Sequence, residues 1–348
     1  MEEREFQMGL VSYGLYLPAG FETAEEIAAR SGLSREQVIT ELGIQRKCFP
    51  SGEDQPAVMA VKAARQAFER ARDVTPEDVD VVIWIGEEYK DYICQTASIR
   101  LQEEVGARKA WAFDLVGQGV TSLVGLRTAR DLVIGDPSVR TVLLAGGTRN
   151  IDLVNYADPH TRWMLSTSAS GAAMLLRRQH PANRLLGIAF HVDGDLADEV
   201  YVPGGGTVQP FSLENLGTES MFFRVAHPEV VEAYLSKGMP ERFLDLIRRT
   251  MGTVGPAGQM PDYLAIRHLR PKDRARILEG LVLKEEQTDS LADVGHHGPN
   301  DVIISLDRAL QRGAIKPGSS VILAAAGIGF TYAAALIQWG PSYTQRHK

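Results

Sequence analysis

Apolar and polar positions along the chain alternate between two rhythms. Val81-Val82-Ile83-Trp84-Ile85 is an unbroken apolar run, the pattern of a strand buried on both faces. Met8 to Tyr13, Ala110 to Phe113 and Thr141 to Ala145 read as further strands, the first closed by Gly14 and Pro18. Between them the spacing turns helical. Val58, Val61, Ala64 and Phe68 share one face of a helix over Pro56 to Arg72, and Thr96 to Val105 and Thr121 to Ile134 follow the same period. Thr23 with Glu26, and Ser34 with Gln37, have the capping-box spacing that satisfies orphan N–H groups at a helix start. Gly43 ends the second of these helices, and Thr75-Pro76-Glu77-Asp78 is a short helical turn opened by proline. Strands alternating with helices predict an α/β layered sheet.

The second half repeats the order of the first. Asp80-Val81-Val82 resembles Asp262-Tyr263-Leu264, Asp114 to Gly119 resembles Asp293 to Gly298, and Val142 to Gly147 resembles Ile322 to Gly327, each about 180 residues apart. In-order matches at a near-constant offset point to a duplicated unit, with halves at residues 1–178 and 179–348. The linking region, Arg177 to Pro261, carries loops such as Val202-Pro203-Gly204-Gly205-Gly206.

Composition narrows the class. A chain of 348 residues with 44% hydrophobic and 23% charged residues is neither disordered nor fibrous, and it can bury a core without disulfides or metal. Two cysteines, Cys48 and Cys94, are too few for a disulfide scaffold and fit a reducing compartment. A net charge of -7 without a basic block argues against nucleic acid. Met1 to Glu5 is acidic and precedes no apolar core, so it does not read as a signal peptide. The apolar stretch Val321 to Leu336 is interrupted by Gly327 and Gly329 and is too short to span a bilayer. A soluble cytoplasmic protein is expected.

Five segments in order carry a resemblance to β-ketoacyl-ACP synthase III within the thiolase superfamily. They are Leu42 to Lys47, Ala112-Phe113-Asp114, Tyr263 to His268, Gly295-His296-His297-Gly298, and Ala326-Gly327-Ile328-Gly329-Phe330. The resemblance implies a thiolase fold, five layers αβαβα from two similar halves, dimeric through the first. It also implies a cysteine five residues after Asp114, at a helix N-terminus where the dipole favours a thiolate able to attack an acyl thioester. That position is Gly119, preceded by Gln118; the nucleophile is missing. Thr121 and Ser122 are the nearest hydroxyls and read as helix-start packing.

The rest of the implied site is His268 and His296, two imidazoles to hydrogen-bond a developing enolate, and an oxyanion hole from the N–H groups of Gly119 and Ile328. Gly327 and Gly329 also suit a tight turn needing positive φ. His297 reads as a polar loop residue. Asp293, His296 and His297 lack the spacing of a tetrahedral zinc set, so no metal is expected. Cys94 falls in the stretch that lines a dimer mate's acyl pocket in the family, where its thiol would replace the missing nucleophile from the other subunit; the bland alternative is a small apolar lining residue. Arg46 and Lys47 fall at the mouth where the family meets its thioester arm, and they could lower the pKa of Cys48 or contact phosphate.

The implied substrate arm is coenzyme A or acyl-carrier phosphopantetheine, with no tightly bound cofactor. The implied partners are an acyl-CoA or acyl carrier protein and a second subunit, identical or homologous. Two functions stay open: acyl transfer or decarboxylation without a cysteine acyl-enzyme, in fatty-acid or polyketide-type metabolism, or a non-catalytic subunit paired with an active ketosynthase. A glycine introduced to trap a ligand is a third. On the first, a cysteine restored at position 119 should become acylated.

Overall fold

The computed structural model describes residues 8–253 and 259–341, so the acidic Met1 to Glu5 stretch lies outside the described residues. The strands are β1 (Met8–Tyr16), β2 (Gly20–Thr23), β3 (Arg46–Phe49), β4 (Val81–Trp84), β5 (Trp111–Asp114), β6 (Thr141–Thr148), β7 (Ser170–Arg178), β8 (Ala182–Val192), β9 (Val200–Tyr201), β10 (Arg224–Val225), β11 (Tyr263–Ile266), β12 (Ser320–Gly327) and β13 (Thr331–Pro341). The helices are α1 (Ala24–Ser31), α2 (Arg35–Thr40), α3 (Pro56–Arg70), α4 (Ala97–Val105), α5 (Thr121–Gly135), α6 (Pro228–Ala233), α7 (Met239–Gly252), α8 (Pro271–Leu281) and α9 (Asp301–Gln311).

Both expected capping boxes form, at Thr23/Glu26 and Ser34/Gln37. The first strand runs on past Gly14 to Tyr16. Gly14 is there for closeness rather than for a turn: a Cβ would lie 1.9 Å from the Ala63 carbonyl oxygen of α3. The long apolar stretch near the C-terminus folds as the antiparallel pair β12 and β13, turning at Gly327 to Gly329.

The main sheet has nine strands in the order β11-β12-β13-β8-β1-β7-β6-β4-β5. From the β1–β8 junction outwards, each side meets its own last strand, then the one before it, then its second. β4 is parallel to β5 and β6; β11 is parallel to β12, and a lone parallel bridge from Leu264 to Thr288 stands where β5 stands on the other side.

Layering follows strand parity, because successive side chains point to opposite faces. Val81, Ile83 and Ile85, with Tyr263 and Ala265, pack inwards on α5 and α9. Val82 and Trp84 pack outwards on α3 and α4, while Leu264 and Ile266 pack outwards on α7 and α8. The result is helices, sheet, central helices, sheet, helices: the five-layer thiolase fold. Fully buried side chains such as Leu123 and Ile303 each contribute about 1.5–3 kcal/mol relative to exposure. Burial on both sides fixes the central helices, and hence the loops at their N-termini. Among the described residues, no helix is long and apolar enough to cross a membrane.

Candidate active site

The carboxyl ends of β4, β6, β11 and β12, with the loop after β5, converge on one cavity of about 60 Å³. Its lining includes Glu87, Gln118, Gly119, Thr148, Asn150, Trp163, Arg267, His296, Ala326 and Ile328. The sites implied at Gly119, Gln118, His296 and Ile328 therefore come together. His268 does not join them.

The parity of β11 explains this. Residues 263 and 265 face the central layer, so 267 continues inwards and 268 turns to the outer side. His268 is buried with its Nε2 3.4 Å from the Gly43 carbonyl, and its own N–H donates to Asp301 at 2.9 Å. Burial pushes its pKa down to about 4. Its ring lines a neighbouring space of about 40 Å³ that shares Trp163 and Arg267 with the main cavity.

Arg267 is the inward residue that the sequence reading missed. Its Nη1 donates to the Ala326 carbonyl at 3.0 Å, and its Nη2 lies 3.0 Å from His296 Nε2. The other ring nitrogen, His296 Nδ1, lies 2.5 Å from Asp301 Oδ2. Asp301 is fully buried and also accepts from the backbone of His268 and His297. Burial opposes its charge, but the histidine contacts and backbone donors win and hold its pKa well below the ordinary carboxylate range. Nδ1–H of His296 thus donates to Asp301, and its Nε2 lone pair accepts from Arg267. Burial, then the Arg267 charge, lowers the His296 pKa, so the ring is neutral. The expected pair of imidazole donors is replaced by a guanidinium oriented by an imidazole and a carboxylate. Strand parity carried the signal for Arg267; helical spacing carried it for Asp301, the first residue of α9.

Position 119 has no space for a side chain. A Cβ built on Gly119 would lie 2.4 Å from the Ala326 carbonyl oxygen, the atom that Arg267 holds. Gln118 is the side chain that lines the cavity there. It sits at φ 53°, in the left-handed region where side chains are uncommon, on a turn leading directly into α5. Its Nε2 donates to Glu88 at 3.2 Å. The side chain that reaches the cavity thus stands one residue before the position reached by counting from Asp114. Thr121 Oγ1 donates to the Gln118 carbonyl, as a packing role predicts, and neither Thr121 nor Ser122 lines the cavity. Asp114 binds Lys90 Nζ and the first N–H groups of α4, which anchors this loop.

Other expectations change with burial. Lys47 is not at a mouth: it is wholly buried, donating to the Leu165 carbonyl at 2.7 Å and paired with Glu22 at 3.3 Å. That anchors the segment carrying Trp163. Arg46 is exposed, stacked on Phe21, and borders none of the cavities described. Cys48 is buried and its thiol is pushed up to about 12, chiefly by burial, so it is no reactive thiol. Cys94 is exposed at φ 61° beside the exposed Tyr92 and Ile93, away from the cavity. His297 is buried between the Ala169 and Val294 carbonyls, a structural residue. Gly329 has the expected positive φ of 126°, whereas Gly327 serves close packing on Gly119.

A doubled α/β sheet with a buried polar cavity at the N-termini of its central helices defines a thiolase-fold protein. Residues 113–194 match the family model for 3-oxoacyl-[acyl-carrier-protein] synthase III, and residues 262–339 match the model for its C-terminal part. A β-ketoacyl-[acyl-carrier-protein] synthase III of Caldanaerobacter subterraneus is 25% identical over 331 residues, covering 95% of this chain and 97% of that protein. An acetoacetyl CoA synthase of Streptomyces sp. strain CL190 is 24% identical, covering 95% and 98%. The crystal structure of 3-oxoacyl-(acyl carrier protein) synthase III from Pseudomonas aeruginosa superposes with a TM-score of 0.83 at 22% identity, covering 97% and 99%. The chain is thus similar to β-ketoacyl-ACP synthase III along nearly its whole length, with a stretch of each half matched by that family's models.

Proposed function

We propose that this protein binds a short acyl thioester and decarboxylates a malonyl-type unit without forming an acyl-enzyme. One observation carries the reading: the cavity keeps its polarising groups and has no thiol to form the acyl-enzyme. Among the described residues no cysteine, serine or lysine lines it; its hydroxyls are those of Thr148 and Thr167, Gln118 carries an amide, and position 119 is filled by the Ala326 carbonyl. The Arg267 guanidinium and the Gln118 amide remain as donors for a thioester oxygen that gains charge as carbon dioxide departs. A pre-oriented donor in such a site is worth about 10²–10³ in rate. A cavity of about 60 Å³ suits a two- or three-carbon acyl head better than a long chain.

The relatives named as acyl-carrier-protein and CoA synthases support a phosphopantetheine arm on the substrate. The space that fits it is a cleft of about 470 Å³ sharing Trp163 with the cavity and lined by Arg162, Arg270 and Lys272. These replace Arg46 and Lys47 as the cations for its phosphates. Incubation with malonyl-coenzyme A should yield acetyl-coenzyme A and carbon dioxide, with no acyl adduct in the intact mass. A covalent adduct on the native protein would sink this reading. So would binding without turnover, which instead favours a non-catalytic subunit.

The active unit we propose is a homodimer joined along β5. That strand lies at the sheet edge, and Tyr92, Ile93, Ile99, Trp111 and Val116 are exposed in and around it. Such a row of large apolar side chains at an unpaired edge is costly to leave in water. Light scattering at micromolar concentration should give twice the chain mass, and Trp111→Lys should shift it to the monomer. A monomeric wild type would refute the pairing and leave Cys94 without a pocket to line.

A further inference from the structure

We propose that Glu87 is the acid–base residue of this cavity, delivering a proton to the α-carbon of the decarboxylated thioester. The inference rests on the thioester reading above and adds the residue that carries the proton. Glu87 follows the end of β4, and its side chain is shut inside the protein against the cavity. Its Oε2 is buried with no hydrogen-bond partner. Its Oε1 lies so close to Gly298 that a Cβ there would sit 2.3 Å away. An unpartnered buried carboxylate is expensive, so the group is kept as the neutral acid. Burial pushes its pKa up to about 8, with the Glu88 and Asp301 charges adding to the rise and Arg267 opposing it.

The other titratable groups of the lining have no proton to give. His296 spends its Nδ1–H on Asp301, and its Nε2 faces Arg267. Arg267 stays a cation at any working pH. His268 is turned away. In the step proposed, the bond from the α-carbon to the carboxylate breaks and carbon dioxide leaves. The electron pair stays on the α-carbon as an enolate. The Glu87 O–H then supplies the proton that forms the new C–H bond, and the resulting carboxylate takes a proton from water as product departs. A carboxyl with a pKa near the working pH can perform both halves of that cycle.

The test uses the reverse half-reaction. With acetyl-coenzyme A in deuterated water, the wild type should exchange α-protons, followed by NMR, at a rate that rises with pH towards about 8. Glu87→Gln should lose about 10²-fold or more of that exchange, with acetyl-coenzyme A binding unchanged by calorimetry. A second readout needs no activity. Between the ordinary carboxyl value of 4.5 and about 8, the folded protein holds a proton that the unfolded chain has released. Stability of the wild type relative to Glu87→Gln should therefore fall as pH rises through that window and level off above it. An equally fast Glu87→Gln, or a stability difference flat with pH, overturns the proposal alone. A wild type that binds but neither exchanges nor decarboxylates overturns the thioester chemistry and this proposal together.

Discussion

Gln118→Cys is expected to acquire self-acylation by acetyl-coenzyme A, and Gly119→Cys is not. The first substitution puts a thiol where a side chain already lines the cavity, on the turn that feeds the N-terminus of α5. The helix N-terminus and the Arg267 charge both favour the thiolate, the form that attacks a thioester. The backbone at 118 already holds a non-glycine residue at φ 53°, so the exchange adds no new strain. Position 119 is the opposite case. A side chain there must displace the Ala326 carbonyl, 2.4 Å from its Cβ, and with it the bond from Arg267. Overpacking of this kind costs about 1–3 kcal/mol, and the cysteine would be wedged between backbones. Intact-protein mass spectrometry reads both outcomes. Acylation of Gly119→Cys with a silent Gln118→Cys would return the reactive position to 119, where counting from Asp114 puts it.

Asp301→Asn should be the most destabilising single change at the site, by about 1–3 kcal/mol for each buried donor it leaves unpaired, read by denaturant unfolding at neutral pH. The carboxylate is fully buried and accepts from His296 Nδ1 and from the N–H groups of His268 and His297. Asparagine keeps one acceptor oxygen and turns an NH₂ towards the other donors. The loss should also release His296 and let the Arg267 side chain move from the Ala326 carbonyl, so any decarboxylase activity should fall by more than the folded fraction does. A variant within about 1 kcal/mol of wild type would mean that the cavity relaxes around a neutral residue and that Asp301 is not its anchor.

At two places the side chain facing the cavity stands one residue from the expected one, and the causes differ. Counting along a loop from Asp114 reaches 119, because a sequence motif carries no information about how the turn is wound. Only the left-handed backbone at Gln118 and the approach of Ala326 make 118 the side chain that reaches the cavity. His268 is the residue the family resemblance implies, whereas the inward parity of Tyr263 and Ala265 along the strand leads to Arg267. Lys47 and Cys48 looked like loop residues, since charge and a neighbouring cation read as surface. Their strand β3 pairs with β2 and lies beneath the 156–166 segment, which takes both out of water.

What the sequence determined alone was the architecture. Apolar periodicity, two capping boxes and the repeated order of elements specify the layers, because burial of one face of each element dominates the folding energy and is written locally. It also determined that no cysteine stands at the helix mouth. What only the tertiary structure decided was which groups face one another across the cavity. The burial of an unpartnered Glu87, the Asp301–His296–Arg267 chain and the filled position at 119 depend on contacts between β4, β11, β12 and α9, segments far apart in the chain. Their chemistry is set by burial and by distances of about 3 Å, and neither quantity has a signature in local pattern.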